Sequence, residues 1–154
     1  MIESTPSVIE PALVLRRTYP VSRERVYAAW TTPEIAAKFL GPREVTVLDV
    51  AMDPRVGGSY SITYRTPDGE EMTVTGIYRE VRAPERLAMT WSWVEDDPAD
   101  RHESWLSIDF TDLGGSTELV LRHERLASAE SRDRHQSGWT SIVDELGTLL
   151  RQPA

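Results

Sequence analysis

The chain has 154 residues, 40% hydrophobic and 27% charged, the balance of one soluble globular domain. Its 25 acidic against 17 basic residues give a net charge of -8, which excludes the basic stripe of a nucleic-acid surface and the cationic face that docks on anionic membranes. With no cysteine, disulfides, thiol catalysis and thiolate metal sites are excluded too.

Residues 1–11 are polar and proline-punctuated and read as a flexible N-terminal tail, without the basic and apolar regions of a signal peptide. No apolar run approaches the roughly 18 residues of a membrane span, so the cytoplasm is the expected compartment. Among the basic residues only Lys38 is not arginine, a bias of GC-rich bacterial genomes. Residues 12–152 read as a single domain. Ala12 to Tyr19 is a strand with Leu13 and Leu15 facing one way, closed by Pro20. Ser22 caps a short helix carrying Val26, Tyr27 and Trp30. Thr32-Pro33-Glu34 starts a second helix, with proline at its first position and an acid in its first turn. It stops at Gly41-Pro42.

Strands then follow. Val45 to Met52 is one, and Gly57-Gly58 opens the next, Ser59 to Arg65. Thr66-Pro67-Asp68-Gly69-Glu70 has the chemistry of a three-residue hairpin loop, with glycine in the left-handed position. That register sets Tyr64 opposite Met72, Ile62 opposite Val74 and Tyr60 opposite Gly76, all apolar pairs on one face. A two-residue turn at Pro84-Glu85 then places Tyr78 opposite Trp91 and Gly76 opposite Trp93. Residues 95–101 form an acidic loop. Leu106, Ile108 and Phe110 continue the inner face, and after a turn at Asp112 to Gly115 so do Leu119, Leu121 and His123. Trp105 falls on the outer face beside Arg122, as a cation–π pair or, with Ile77, a dimer contact.

Ser128 to Arg151 reads as a long amphipathic helix. Trp139, Ile142, Val143, Leu146, Leu149 and Leu150 recur at three- and four-residue steps, Ser128 caps it, and Glu130 and Arg151 complement its dipole. Gly138 and Gly147 interrupt it at about 1 kcal/mol each, so either something approaches closely there or the glycine is merely tolerated. A one-sided antiparallel meander needs a cover, and this helix is the only long element available. The fold class is α+β: a curved antiparallel sheet wrapped around a long C-terminal helix, with two short helices after the first strand.

Several motifs in this order carry a resemblance. Trp30-Thr31-Thr32-Pro33-Glu34, Leu40-Gly41-Pro42, Gly57-Gly58, Gly76-Ile77-Tyr78, Pro84-Glu85-Arg86-Leu87 with Thr90-Trp91, and Gly138-Trp139 together resemble the chaperone (heat-shock-protein) ATPase activator-homologue family. That family lies in the START-like, SRPBCC superfamily, whose birch-pollen-allergen relatives share the helix-grip fold. The match runs from about Leu13 to Leu150. The resemblance implies a cavity between sheet and helix, and relatives that range from lipid carriers and cyclases to chaperone or stress regulators. Activators in eukaryotes carry a further N-terminal domain that this chain does not match.

The inner face is rich in aromatic residues. Phe39, Tyr60, Ile62, Tyr64, Val74, Tyr78, Met89, Trp91, Trp93, Leu106, Ile108, Trp139 and Val143 are the expected lining of a pocket for a small apolar or aromatic ligand. The plain alternative is a filled core. His123, on the inner face, and His135, four residues before Trp139, are the two candidate acid–base groups, weak because spacing assigns neither a carboxylate partner. No HxH or HExxH spacing, phosphate loop or nucleophile elbow is present, so neither a metal nor a cofactor is expected. The first reading is a non-catalytic ligand carrier, monomeric or homodimeric. The alternatives are a cyclase- or hydrolase-like enzyme using a cavity histidine, and an interaction module with a chaperone as partner.

Overall fold

Period-two alternation carries most of the chain into strands. The order is β1 (Leu13–Tyr19), α1 (Arg23–Thr31), α2 (Pro33–Phe39), β2 (Thr46–Met52), β3 (Ser59–Arg65), β4 (Glu71–Arg82), β5 (Arg86–Trp93), β6 (Glu103–Asp112), β7 (Thr117–Glu124) and α3 (Ala129–Leu150). The structure, a computed structural model, describes residues 9–95 and 102–152. Residues 1–8 of the expected tail and 96–101 of the acidic loop lie outside them. Ile9 to Pro11, expected in the tail, run beside the exit of β7: the Arg125 N–H donates to the Ile9 carbonyl at 2.9 Å and the Leu126 N–H to Pro11 at 3.0 Å.

All seven strands form one curled antiparallel sheet in the order β1-β7-β6-β5-β4-β3-β2. β2 to β7 are a meander, and α1 and α2 carry the chain from the β1 edge to the β2 edge. Both predicted caps are made: Ser22 Oγ accepts from the Arg25 N–H at 3.3 Å, and Ser128 Oγ from the Ser131 N–H at 3.0 Å. The helix α3 lies against the concave face. Tyr19 of β1 donates its hydroxyl to the Val143 carbonyl at 2.8 Å, and Arg17 pairs with Asp144 at 3.0 Å.

The β3–β4 register is the predicted one, with Tyr60 opposite Gly76 and Gly69 at φ +87° in the loop. The β4–β5 register is not. The loop has three residues, with Arg82 opposite Arg86, and a bulge at Arg79 shifts the pairing again. Tyr78 therefore faces Met89, and Trp93 faces Val74 instead of Gly76. Two single-residue slips sum to two, so every inner-face residue stays inside although its partner changes. Likewise the β6–β7 turn spans Leu113 to Ser116, one position later than expected, so Trp105 faces Glu124 and Arg122 faces Ser107. The expected Trp105–Arg122 pair is absent, and Arg122 instead lies 3.8 Å from Asp109.

At Gly76 a bare backbone position is required. A Cβ there would stand 2.0 Å from the Thr90 carbonyl oxygen and 2.6 Å from the Tyr60 ring. Tyr60 crosses β4 over this gap and donates its hydroxyl to Thr90 on β5. The displaced ladder bond is remade by the Thr90 hydroxyl, which accepts from the Ile77 N–H at 2.9 Å. So the sheet opens locally to let one inner-face tyrosine span two strands.

Candidate functional site

Most of the space between sheet and α3 is filled. Phe39, Val74, Ile108 and Val143, all expected to line a pocket, are wholly buried and line neither the inner void nor the cleft at the open end. Tyr60, Ile62, Tyr78, Met89 and Leu106 border only a small inner void of about 20 Å³, shared with Trp30, Leu40, Trp91 and Trp139. The physical reason is the aromatic packing. Trp91 lies 5.0 Å from Trp139 and 6.4 Å from Tyr60 between ring centroids, and Trp30 meets Phe39 edge-on at 5.1 Å. Large rings at these spacings occupy the volume that a wide cavity would need.

Open space lies instead at one end of the groove, as a cleft of about 150 Å³. Of the expected lining, Tyr64, Trp91, Trp93 and Trp139 reach it; Pro42, Val45, Thr66, Met72, Arg134, His135, Gly138 and Ile142 complete it. Its wall is almost wholly apolar, and Arg134 is its one charged member. The Tyr64 hydroxyl is turned away and donates to the Leu40 carbonyl at 3.1 Å, while burial raises its pKa. Gly138 opens the helix side: the nearest atom to a Cβ placed there is Pro42 Cγ at 3.6 Å. Nothing presses on the helix, so of the two expectations for this glycine the close approach is not what is found. Gly147 is the tighter position, with Tyr19 Cε1 3.4 Å from its would-be Cβ.

His123 and His135 do meet, with ring centroids 4.9 Å apart. Their hydrogen bonds fix their state. The Trp139 indole N–H donates to His123 Nδ1 at 3.0 Å, and the Trp93 indole N–H donates to His135 Nε2 at 3.1 Å. An indole can only donate, so both of those imidazole nitrogens must be unprotonated. The remaining proton of His123 sits on Nε2, 2.7 Å from Ser104 Oγ, which in turn donates to the Trp91 carbonyl at 2.9 Å. That of His135 sits on Nδ1, 2.8 Å from the Ser131 carbonyl. Protonating either ring would set two donors face to face. Burial pushes the His123 pKa well below the usual value, and the nearby His135 pushes the same way. His135 is lowered by burial first and by Arg134 as well, against the opposing bond to Ser131. Neither ring offers a free lone pair to the cleft, which removes the geometry a general base needs.

Ser104 and Ser131 were not singled out from sequence, although each carried a signal. Ser104 holds the inner-face period two before Leu106, and Ser131 is one helical turn before His135. Among the described residues no cluster of three acidic or histidine side chains is arranged to hold a metal, and no helix is long and apolar enough to cross a membrane.

The family model described as Activator of Hsp90 ATPase homolog 1-like protein matches residues 20–151. The chain belongs to this family. Solved structures of similar proteins include CV1439 from Chromobacterium violaceum, with a TM-score of 0.83 and 26% identity over 92% of this chain and 98% of that one. The AHSA1 (SPO3351) protein from Silicibacter pomeroyi superposes with a TM-score of 0.81 at 27% identity, covering 91% of this chain and 97% of its own. Protein NE0264 from Nitrosomonas europaea shares the fold at a TM-score of 0.77 and 22% identity, over 92% and 94% of the two chains. No functionally curated protein matches. The AHSA1-like, SRPBCC-type fold is that of a ligand-binding or interaction module. Among the described residues the apolar cleft between sheet and helix lies at the end where Trp93, His135 and Gly138 meet.

Proposed function

We propose that this AHSA1-like protein binds a small, flat apolar or aromatic molecule in the end cleft, as a non-catalytic carrier or sensor in the cytoplasm. The observation that carries the reading is the convergence of Tyr64, Trp91, Trp93 and Trp139 on one apolar opening of about 150 Å³. An apolar cavity of that order holds a single aromatic ring. Ring faces and edges give such a ligand stacking contacts worth about 0.5–1.5 kcal/mol per pair beyond area burial. The fixed tautomers of His123 and His135 support binding over acid–base catalysis, because both lone pairs are already committed.

Native mass spectrometry of the purified protein, followed by denaturation and analysis of released small molecules, tests the reading. A co-purifying apolar compound is the expected result, and Trp91→Ala should lose it while Ser92→Ala retains it. Equal retention by both variants overturns the cleft assignment. If a panel of apolar and aromatic compounds produces no thermal shift and Hsp90 binds the chain with the cleft blocked, the function lies on the surface instead.

A further inference from the structure

Among the described residues three buried side-chain polar atoms have no partner, Arg23 Nε and the indole nitrogens of Trp30 and Trp91, and the two indoles fall together. Tyr19, Tyr60, Tyr64, Ser104, His123, His135, Trp93 and Trp139 all have partners. The indole N–H groups of Trp30 and Trp91 are buried with none. Each of these two tryptophans is 5% exposed, and both pack on Trp139, at 6.2 and 5.0 Å between ring centroids. Both also line the inner void of about 20 Å³. An unbonded buried N–H is costly and calls for an acceptor, and a space of this size takes one oxygen atom. The surroundings sharpen the chemistry. Trp30 and Trp91, whose N–H groups lack partners, line the void, while the histidine lone pairs are used and no charged side chain borders it.

We propose that the inner void is an acceptor-oxygen subsite, and that the ligand of the cleft is an uncharged ring compound bearing a carbonyl oxygen. This rests on the cleft reading given above. Trp91 and Trp139 line both spaces, so a ring seated in the cleft already stacks on the partition. For the ligand oxygen to reach the N–H donors, the Trp91 side chain must move aside. A hydrocarbon ring brings no acceptor for the indole N–H groups, and a carboxylate brings a charge that the void does not balance. The subsite therefore selects ketones, aldehydes and quinones over hydrocarbon and anionic rings.

The test is a pair of equal shape, acetophenone and α-methylstyrene, titrated into nitrogen-15 labelled protein while the five indole N–H signals are followed. Trp91→Phe and Trp30→Phe assign the two signals and each removes one donor. The expected result is that acetophenone binds roughly three- to tenfold tighter, the worth of one hydrogen bond, and moves the Trp91 or Trp30 indole proton downfield. In Trp91→Phe, or in Trp30→Phe if the first variant does not fold, the preference shrinks. If both compounds bind equally and these indole protons stay in place, the acceptor subsite is wrong while the cleft stands. If neither binds, the cleft reading fails and this inference with it. An unliganded protein whose Trp30 and Trp91 signals show cross-peaks to one long-lived water that acetophenone does not displace assigns the void to water alone and also overturns the proposal.

Discussion

Gly138→Ala separates stability from binding at one atom. The glycine sits within the 22-residue α3, where it costs about 1 kcal/mol relative to alanine. The new methyl meets nothing closer than Pro42 Cγ at 3.6 Å, an ordinary contact, so no steric term cancels that gain. The variant should be about 1 kcal/mol more stable, which for a chain of this size raises Tm by about 2–4 °C. The same methyl enters the cleft between α3 and Pro42 and narrows a space of only about 150 Å³. Overfilling a packed apolar site by one methyl costs about 1–3 kcal/mol, so affinity for a ring ligand should fall roughly five- to a hundredfold. Calorimetric unfolding and a ligand titration on the same sample read both effects. Gly147→Ala is the control: Tyr19 Cε1 at 3.4 Å and Arg151 at 3.2 Å crowd the methyl, so the gain there should be smaller and binding unchanged. A destabilised Gly138→Ala, or a stabilised one with wild-type affinity, would refute the reasoning.

Three further outcomes follow from the geometry. Gly76→Ala drives a Cβ to 2.0 Å from the Thr90 carbonyl and removes the path of the Tyr60 hydroxyl, so urea unfolding should show a loss of about 3 kcal/mol or more. His123 and His135 have lowered pKa values when folded, so the unfolded chain takes up more protons below about pH 6.5. Their contribution to stability is complete above that pH and declines below it by up to about 1.4 kcal/mol per pH unit for each ring; a pH series of urea curves should be flatter in His135→Gln, and equal slopes would contradict the assignment. Trp93→Phe frees the lone pair on His135 Nε2, so the imidazole signal of His135 should titrate at higher pH than in the parent chain.

The face of each strand was legible in sequence because burial enforces a strict alternation, and that survived two register errors. Tyr78 stays inside whether it meets Trp91 or Met89, since the three-residue loop and the Arg79 bulge add up to an even shift. Pairing itself depends on loop length and bulges, and Pro84-Glu85 gave no sign of the extra residue. The helices were readable to within a residue because Ser22, Pro33 and Ser128 mark their starts with specific chemistry. The site was only partly readable. A list of inward residues does not tell which of them close on one another, and ring-to-ring packing of Trp30, Trp91 and Trp139 is a three-dimensional property. Hence nine of the thirteen expected lining residues pack away from the cleft, whereas Gly138 and Pro42, noted from sequence for other reasons, form part of its wall. The tryptophan donors that hold both histidines neutral lie 16 and 42 positions away in sequence, each on another element, and no spacing rule pairs them.

The central claim is that ligand enters at the open end, between β5 and α3. A titration with indole as the probe, followed by amide and side-chain N–H shifts, tests it most directly. The account predicts saturable changes concentrated at Gly138, Tyr64 and the side chains of Trp93 and Trp139, with the outer face around Thr75 and Ser92 unmoved. Changes confined to that outer face, or none at millimolar probe, would contradict it.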